Sequence, residues 1–137
     1  MKRLNFKAGE TGLNRFFGPL EAKIMDILWS TSDRSIKEVQ TALEGDRDFN
    51  FNTVMTVMNR LVEKGILSKS IRGRTSLYRP VLSREEFMDE QSKELSHELV
   101  DEFGPLAVNH MIDALEVADP ILIERLEQKI KQWKKDM

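Results

Sequence analysis

From Gly18 to Gly65 the apolar positions recur every three or four residues in three runs, each closed by turn-forming residues, and this spacing predicts three helices. Gly18-Pro19 opens the first, with proline at an early helical position where its missing N–H costs little. Leu20, Ile24, Ile27 and Leu28 form its buried face, up to Trp29. Ser30 to Arg34 is a polar break, and Ser35 followed by Glu38 is a capping box that starts the second helix, whose stripe is Ile36, Val39 and Leu43. A polar connection, Gly45 to Phe51, leads into the third, with Asn52 as expected N-cap and Gly65 as C-terminal stop. At about 100° per residue, Val54, Met58, Leu61 and Val62 fall on one arc of that helix and Thr53, Thr56, Arg60 and Lys64 on the other.

After Gly65 the period changes. Ile66 to Ile71 reads as a strand, Arg72-Gly73-Arg74 as a turn and Thr75 to Val81 as the returning strand, with Pro80 placing the return at a sheet edge or at its own end. Three helices and a cation-tipped hairpin, in that order, predict a winged helix-turn-helix over residues 18–82. Most amphipathic helices with threonine, arginine and lysine outside are merely solvated. Next to this hairpin, the third helix gains a second meaning. Short hydroxyl side chains near its start and cations further along suit a major groove and its phosphates, while Lys69, Arg72 and Arg74 on the wing reach the adjacent backbone.

Residues 83–137 are acidic and helical. Ser83 and Glu86 form another capping box, and Phe87, Leu95, Leu99 and Phe103 line a helix that Gly104-Pro105 stops. A second helix carries Leu106, Val108, Met111, Ile112 and Leu115; a third begins at Asp119-Pro120 and carries Leu122, Leu126, Ile130 and Trp133. Three such elements are too few for a core of their own, so their apolar faces call for a partner. The simplest is the same segment of a second chain, which makes this a helical dimerisation region of a homodimer; folding back on the first domain is the alternative. The class is therefore mainly α, with a small two-stranded wing. At the other end, residues 1–17 contain Gly9 and Gly12, follow no period and carry Lys2, Arg3, Lys7 and Arg15 against Glu10, the pattern of a flexible basic arm able to track phosphates.

A net charge of −2 looks wrong for a nucleic-acid binder until the chain is divided. Residues 1–82 hold 14 Lys+Arg against 9 Asp+Glu, and residues 83–137 hold 7 against 14, so the first part can face a polyanion that the second repels. Cysteine is absent, which excludes disulfides, thiol catalysis and thiolate metal sites. No apolar run approaches the roughly 20 residues of a membrane span, and the basic start lacks a secretory apolar stretch, so no membrane insertion and a cytoplasmic location are expected. His97 and Asp101 lie one helical turn apart without a third ligand; neither a metal nor another cofactor is expected. Adjacent acids such as Glu85/Glu86 point apart on a helix, no serine or threonine has a neighbouring histidine, and the methionines sit at packing positions. An enzyme is not expected.

Gly18-Pro19-Leu20-Glu21 with Ile24 to Trp29, then Thr53 to Gly65, then Leu77-Tyr78-Arg79-Pro80, resemble the BlaI/MecI/CopY family of bacterial repressors, the penicillinase repressor family. The resemblance runs from about Gly18 onward and is strongest up to Pro80. It implies a homodimer with two winged-helix heads on a dyad-symmetric, double-stranded DNA operator, with Thr53, Thr56 and Arg60 on bases or phosphates and Lys64, Arg72 and Arg74 on the backbone. It also implies a signal-transducing membrane protease as partner, since antibiotic-responsive members are cleaved at an Asn-Phe bond; the corresponding bond here is Asn109-His110, with histidine in place of the phenylalanine. Copper-responsive members carry a cysteine pair that this chain lacks. Two other functions fit the same residues: a ligand-sensing winged-helix regulator with a pocket in its helical region, and a winged-helix protein-interaction module whose Thr53/Arg60 face meets a protein.

Overall fold

The computed structural model describes residues 4–31, 33–43 and 49–137. Lys2 and Arg3 of the expected arm, residue 32 of the polar break and residues 45–48 of the connection lie outside the described residues. Three helices come first, α1 (Pro19–Ser30), α2 (Ile36–Ala42) and α3 (Phe51–Glu63). A hairpin of β1 (Leu67–Arg72) and β2 (Thr75–Pro80) follows, and then α4 (Arg84–Phe103), α5 (Pro105–Leu115) and α6 (Pro120–Asp136). The order is that of a winged helix followed by a helical region. Two compact units divide the chain, one ending at Gln91 and the other running Ser92–Met137.

The core of the first unit is the one the periodicity predicts, with additions. Ile24, Leu28, Val39, Leu43, Val54, Met58 and Leu61 are buried, Leu20, Ile27, Ile36 and Val62 pack partly buried against them, and Met25, Ala22 and Tyr78 join the cluster. Capping geometry explains the helix starts. The Ser35 N–H donates to Glu38 Oε1 at 3.0 Å while the Glu38 N–H donates to Ser35 Oγ at 3.2 Å, and Ser83 and Glu86 repeat the exchange at 3.0 and 3.1 Å. The Ser35 backbone N–H, aided by its hydroxyl and by Arg34 against an opposing desolvation, holds the Glu38 carboxyl below the usual carboxylate range. The backbone N–H and then the hydroxyl of Ser83 do the same for Glu86. Each folded-state pKa lies below its unfolded value, so this stabilisation is complete above the ordinary carboxylate range and is lost as pH falls through the lowered value. Far-UV circular dichroism should therefore hold steady at neutral pH and decline only under acid. Ser35→Ala with Ser83→Ala should shrink that acid-dependent step.

At the end of α3, Gly65 adopts φ 78°, the Ile66 N–H donates to the Leu61 carbonyl and the Gly65 N–H to the Val62 carbonyl, both at 3.0 Å. This is a Schellman ending, and the left-handed position is why glycine stands there. The wing pairs antiparallel with Leu67 opposite Pro80 and Arg72 opposite Thr75, around a two-residue turn in which Gly73 has φ 67°. Pro80 closes β2, where it interrupts no ladder. Tyr78 joins the wing to the helices: its backbone exchanges hydrogen bonds with Arg34, at 2.9 and 3.1 Å, and its hydroxyl donates to Asn59 Oδ1 on α3 at 2.9 Å. Tyr78→Phe should cost about 1 kcal/mol, because Asn59 then loses its donor in a partly buried site. Urea denaturation reads this, and an unchanged midpoint would mean that water replaces the phenol.

Two expectations need correction here. The segment expected as a free arm packs on the head from Leu4 onward: the Lys7 N–H donates to the Arg15 carbonyl at 2.8 Å, Lys7 Nζ donates to the Phe17 carbonyl at 2.9 Å, and Gly12–Arg15 forms a 3₁₀ turn. Aromatic rings supply the burial that its glycines and cations concealed. Phe6 lies 5.8 Å from Phe16 between ring centroids, and Phe17 is 1% exposed. The second correction is Phe87, predicted at the dimer contact but 1% exposed inside the head. Its ring stacks on Phe17 at 5.3 Å, meets the edge of Phe16 at 5.7 Å and tilts against Trp29 at 5.3 Å. Arg84 adds an ion pair to Asp26 and lies over the Trp29 ring, whose Nε1–H donates to the Leu82 carbonyl. The start of α4 thus belongs to the head.

Within the second unit, none of the residues of α5 and α6 is buried. Of the apolar positions expected there, Leu95, Leu99 and Leu115 are half-buried. Phe103, Leu106, Met111, Leu122, Leu126, Ile130 and Trp133 are exposed, Leu106 by 61% and Trp133 by 58%. Leu99, Phe103, Leu106, His110 and Met111 line an apolar trough of about 480 Å³. Asn109 and His110 lie exposed in the middle of α5. No helix among the described residues is long and apolar enough to cross a membrane.

Candidate nucleic-acid interface

The outward face of α3 is set by where the helix begins. Asn50, not Asn52, is the N-cap: its Oδ1 accepts from the Thr53 N–H at 2.8 Å. Phe49 and Val54 explain the choice, since a residue before the cap and one four places inside the helix form a hydrophobic staple, and both pack on the core. Asn52 therefore moves into the first turn of the helix with its amide exposed. Asn52, Thr56 and Arg60 then follow one another at four-residue spacing, with Thr53 beside them, and all four are exposed. Asn52 is the residue that sequence reasoning missed; the Phe49/Val54 spacing was the available signal.

Donor and acceptor assignments on this face are partly fixed from within. Thr56 Oγ1 donates to the Asn52 carbonyl at 2.8 Å, so its hydroxyl proton is committed and the oxygen keeps only its acceptor capacity for an outside partner. Thr53 and Arg60 have no side-chain partner among the described residues. Lys64 is placed differently. Its Nζ lies 3.1 Å from Glu21 Oε2, a half-buried pair, and Glu21 Oε1 also accepts from the Gly18 N–H at 3.0 Å. That carboxylate ties the start of α1 to the end of α3, and Lys64 serves the frame that aims the helix.

On the wing, strand alternation separates the three predicted cations. Lys69 shares a face with Tyr78, its register partner, and its Nζ lies 5.6 Å from the centre of that ring. Arg72 points to the opposite face, and Arg74 sits in the turn; both are exposed, with no ion pair among the described residues. Ile71, on the Lys69 face near the tip, is 75% exposed. Arg79 is held 3.4 Å from Asp33, beside the Arg34 bridge. The arrangement brings Thr53, Thr56 and Arg60 onto one helix, with Arg72 and Arg74 on an adjoining hairpin, and gives all of them access to solvent.

A model of the penicillinase repressor family matches residues 17–132. Over 72 residues the chain is 39% identical to the transcriptional regulator BlaI of Mycobacterium tuberculosis, covering 52% of each protein. It is 25% identical over 92 residues to the penicillinase repressor of Bacillus licheniformis, covering 67% of this chain and 69% of that one. Among solved structures, the monomeric form of Bacillus licheniformis BlaI in complex with the blaP half-operator aligns at 26% identity. It covers 51% of this chain and 85% of the other, with a TM-score of 0.44. The matched region spans about half the length of the first of these curated relatives.

Proposed function

The chain belongs to the penicillinase repressor family, whose model matches residues 17–132, and from that premise we propose that it represses transcription by binding a dyad-symmetric operator as a homodimer. One observation carries the reading: α3 turns exposed threonines and an arginine without internal partner outward, next to a hairpin with two exposed arginines at its tip. In this proposal Asn52, Thr53, Thr56 and Arg60 meet base edges in the major groove, and Lys69, Arg72 and Arg74 hold phosphates. Lys64 keeps to Glu21 and positions the helix.

The dimer rests on the second unit. Its apolar stripes lack a buried residue on α5 and α6, so a second copy of the same segment is the cover they favour. Two heads on one duplex then set half-site centres roughly 34 Å apart, or a multiple of that. Footprinting on the chain's own upstream DNA is the test. Two protected patches at that spacing are expected, together with an affinity that falls steeply with salt, by about 10³-fold or more between 50 and 200 mM for a handful of phosphate contacts per head. Salt-insensitive, sequence-blind retention would support the protein-interaction reading instead.

A further inference from the structure

Building on the assignment of α3 as the DNA-reading helix, we propose that the cleft between its C-terminal end and the N-terminal segment binds a small organic anion with an apolar body, and that occupation withdraws Arg60 from DNA. The cleft has a volume of about 620 Å³, within the usual size of a small-molecule site. Leu4 and Phe16 form an apolar side, and Lys7, Arg60 and Lys64 form a cationic side interrupted only by Glu63. Two of the cations are held in place by the protein. Lys7 Nζ donates to the Phe17 carbonyl at 2.9 Å and Lys64 Nζ to Glu21 at 3.1 Å, each ammonium keeping further donors for a guest. Arg60 has no partner among the described residues, and its planar fork is matched to a carboxylate or a phosphate monoester. The aromatic wall favours a ring attached to that anion over a bare inorganic ion or a phosphodiester backbone. A bound anion and a base edge would compete for one guanidinium, so the guest acts as an inducer.

Isothermal titration calorimetry on the full chain, with amide chemical shifts, tests the site using naphthalene-2-carboxylate, 1-naphthyl phosphate and inorganic phosphate. Saturable binding of a naphthyl anion is expected, with shifts at Phe16, Gly18 and Arg60, and inorganic phosphate should bind at least about tenfold more weakly because the ring contributes burial. Arg60→Ala and Lys7→Gln should each weaken naphthalene-2-carboxylate by about tenfold. Shifts confined to the trough at Leu99 and Phe103, or equal weak binding of all three probes that added salt removes, would overturn the site. In a second arm, saturating naphthalene-2-carboxylate should raise the Kd for the chain's upstream DNA about tenfold. Binding without that shift overturns the inducer role, whereas saturable binding by a chain that ignores DNA leaves the cleft standing and sinks the repressor reading.

Discussion

Phe87→Ala should destabilise the head by about 3–5 kcal/mol, the usual loss for truncating a buried aromatic ring. The ring is 1% exposed and touches Phe16, Phe17 and Trp29, so its removal opens a cavity between the N-terminal segment, α1 and the start of α4. Two of those neighbours have other anchors, the Lys7 bond to the Phe17 carbonyl and the Trp29 bond to the Leu82 carbonyl, so the walls cannot collapse freely onto the space. A 60–100-residue domain loses about 4–8 °C of Tm per kcal/mol, which puts the expected shift well above 10 °C. Calorimetry on the full chain, paired with sedimentation, separates the two roles this residue has been given. An unchanged Tm with loss of the dimer would return Phe87 to the subunit contact and contradict its place in the head.

Arg60→Ala should weaken operator binding by about 1–3 kcal/mol per half-site and relax base preference at one position in each, with little change on random DNA. Arg72→Ala should instead weaken both by a similar factor and lower the salt slope by about two, one phosphate contact per head. The contrast follows from placement: Arg60 extends the line of Asn52 and Thr56 along α3, while Arg72 stands on the outer face of the wing. Fluorescence anisotropy with operator and scrambled duplexes at two salt concentrations measures both substitutions. Equal losses on the two duplexes for Arg60→Ala would count against base reading by that side chain.

Much of this arrangement was legible in the residues because its signals are local. The Ser35 and Ser83 caps, the Gly65 ending and the buried arc of Val54, Met58 and Leu61 each depend on a few neighbouring positions, and each is found in the structure. What escaped is what depends on distant partners. Sequence reading groups Phe87 with Leu99 and Phe103 on one apolar line, yet at about 100° per residue it stands roughly 160° around α4 from Phe103, and its buried neighbour on the helix is Gln91. Phe16 and Phe17 sit in a segment without period, so their burial became visible only once Trp29 and Phe87 were placed beside them. Lys64 follows the spacing of an outward residue, yet Glu21, 43 positions earlier, takes its charge. The shift of the cap from Asn52 to Asn50 is of another kind: two residues of equal capping aptitude stood two places apart, and packing of Phe49 decided between them.

Because the hairpin alternates sides at every residue, its length and its charge placement are linked by parity. Each two-residue extension of both strands would push the arginine-bearing tip roughly 6–7 Å further out and leave Lys69 above its tyrosine. Adding a single residue to β1 beyond Lys69 would swing Arg72 around to the side now occupied by Ile71. Lengthening this wing by even steps keeps each cation on its own face, whereas an odd step turns Arg72 to the other side of the hairpin.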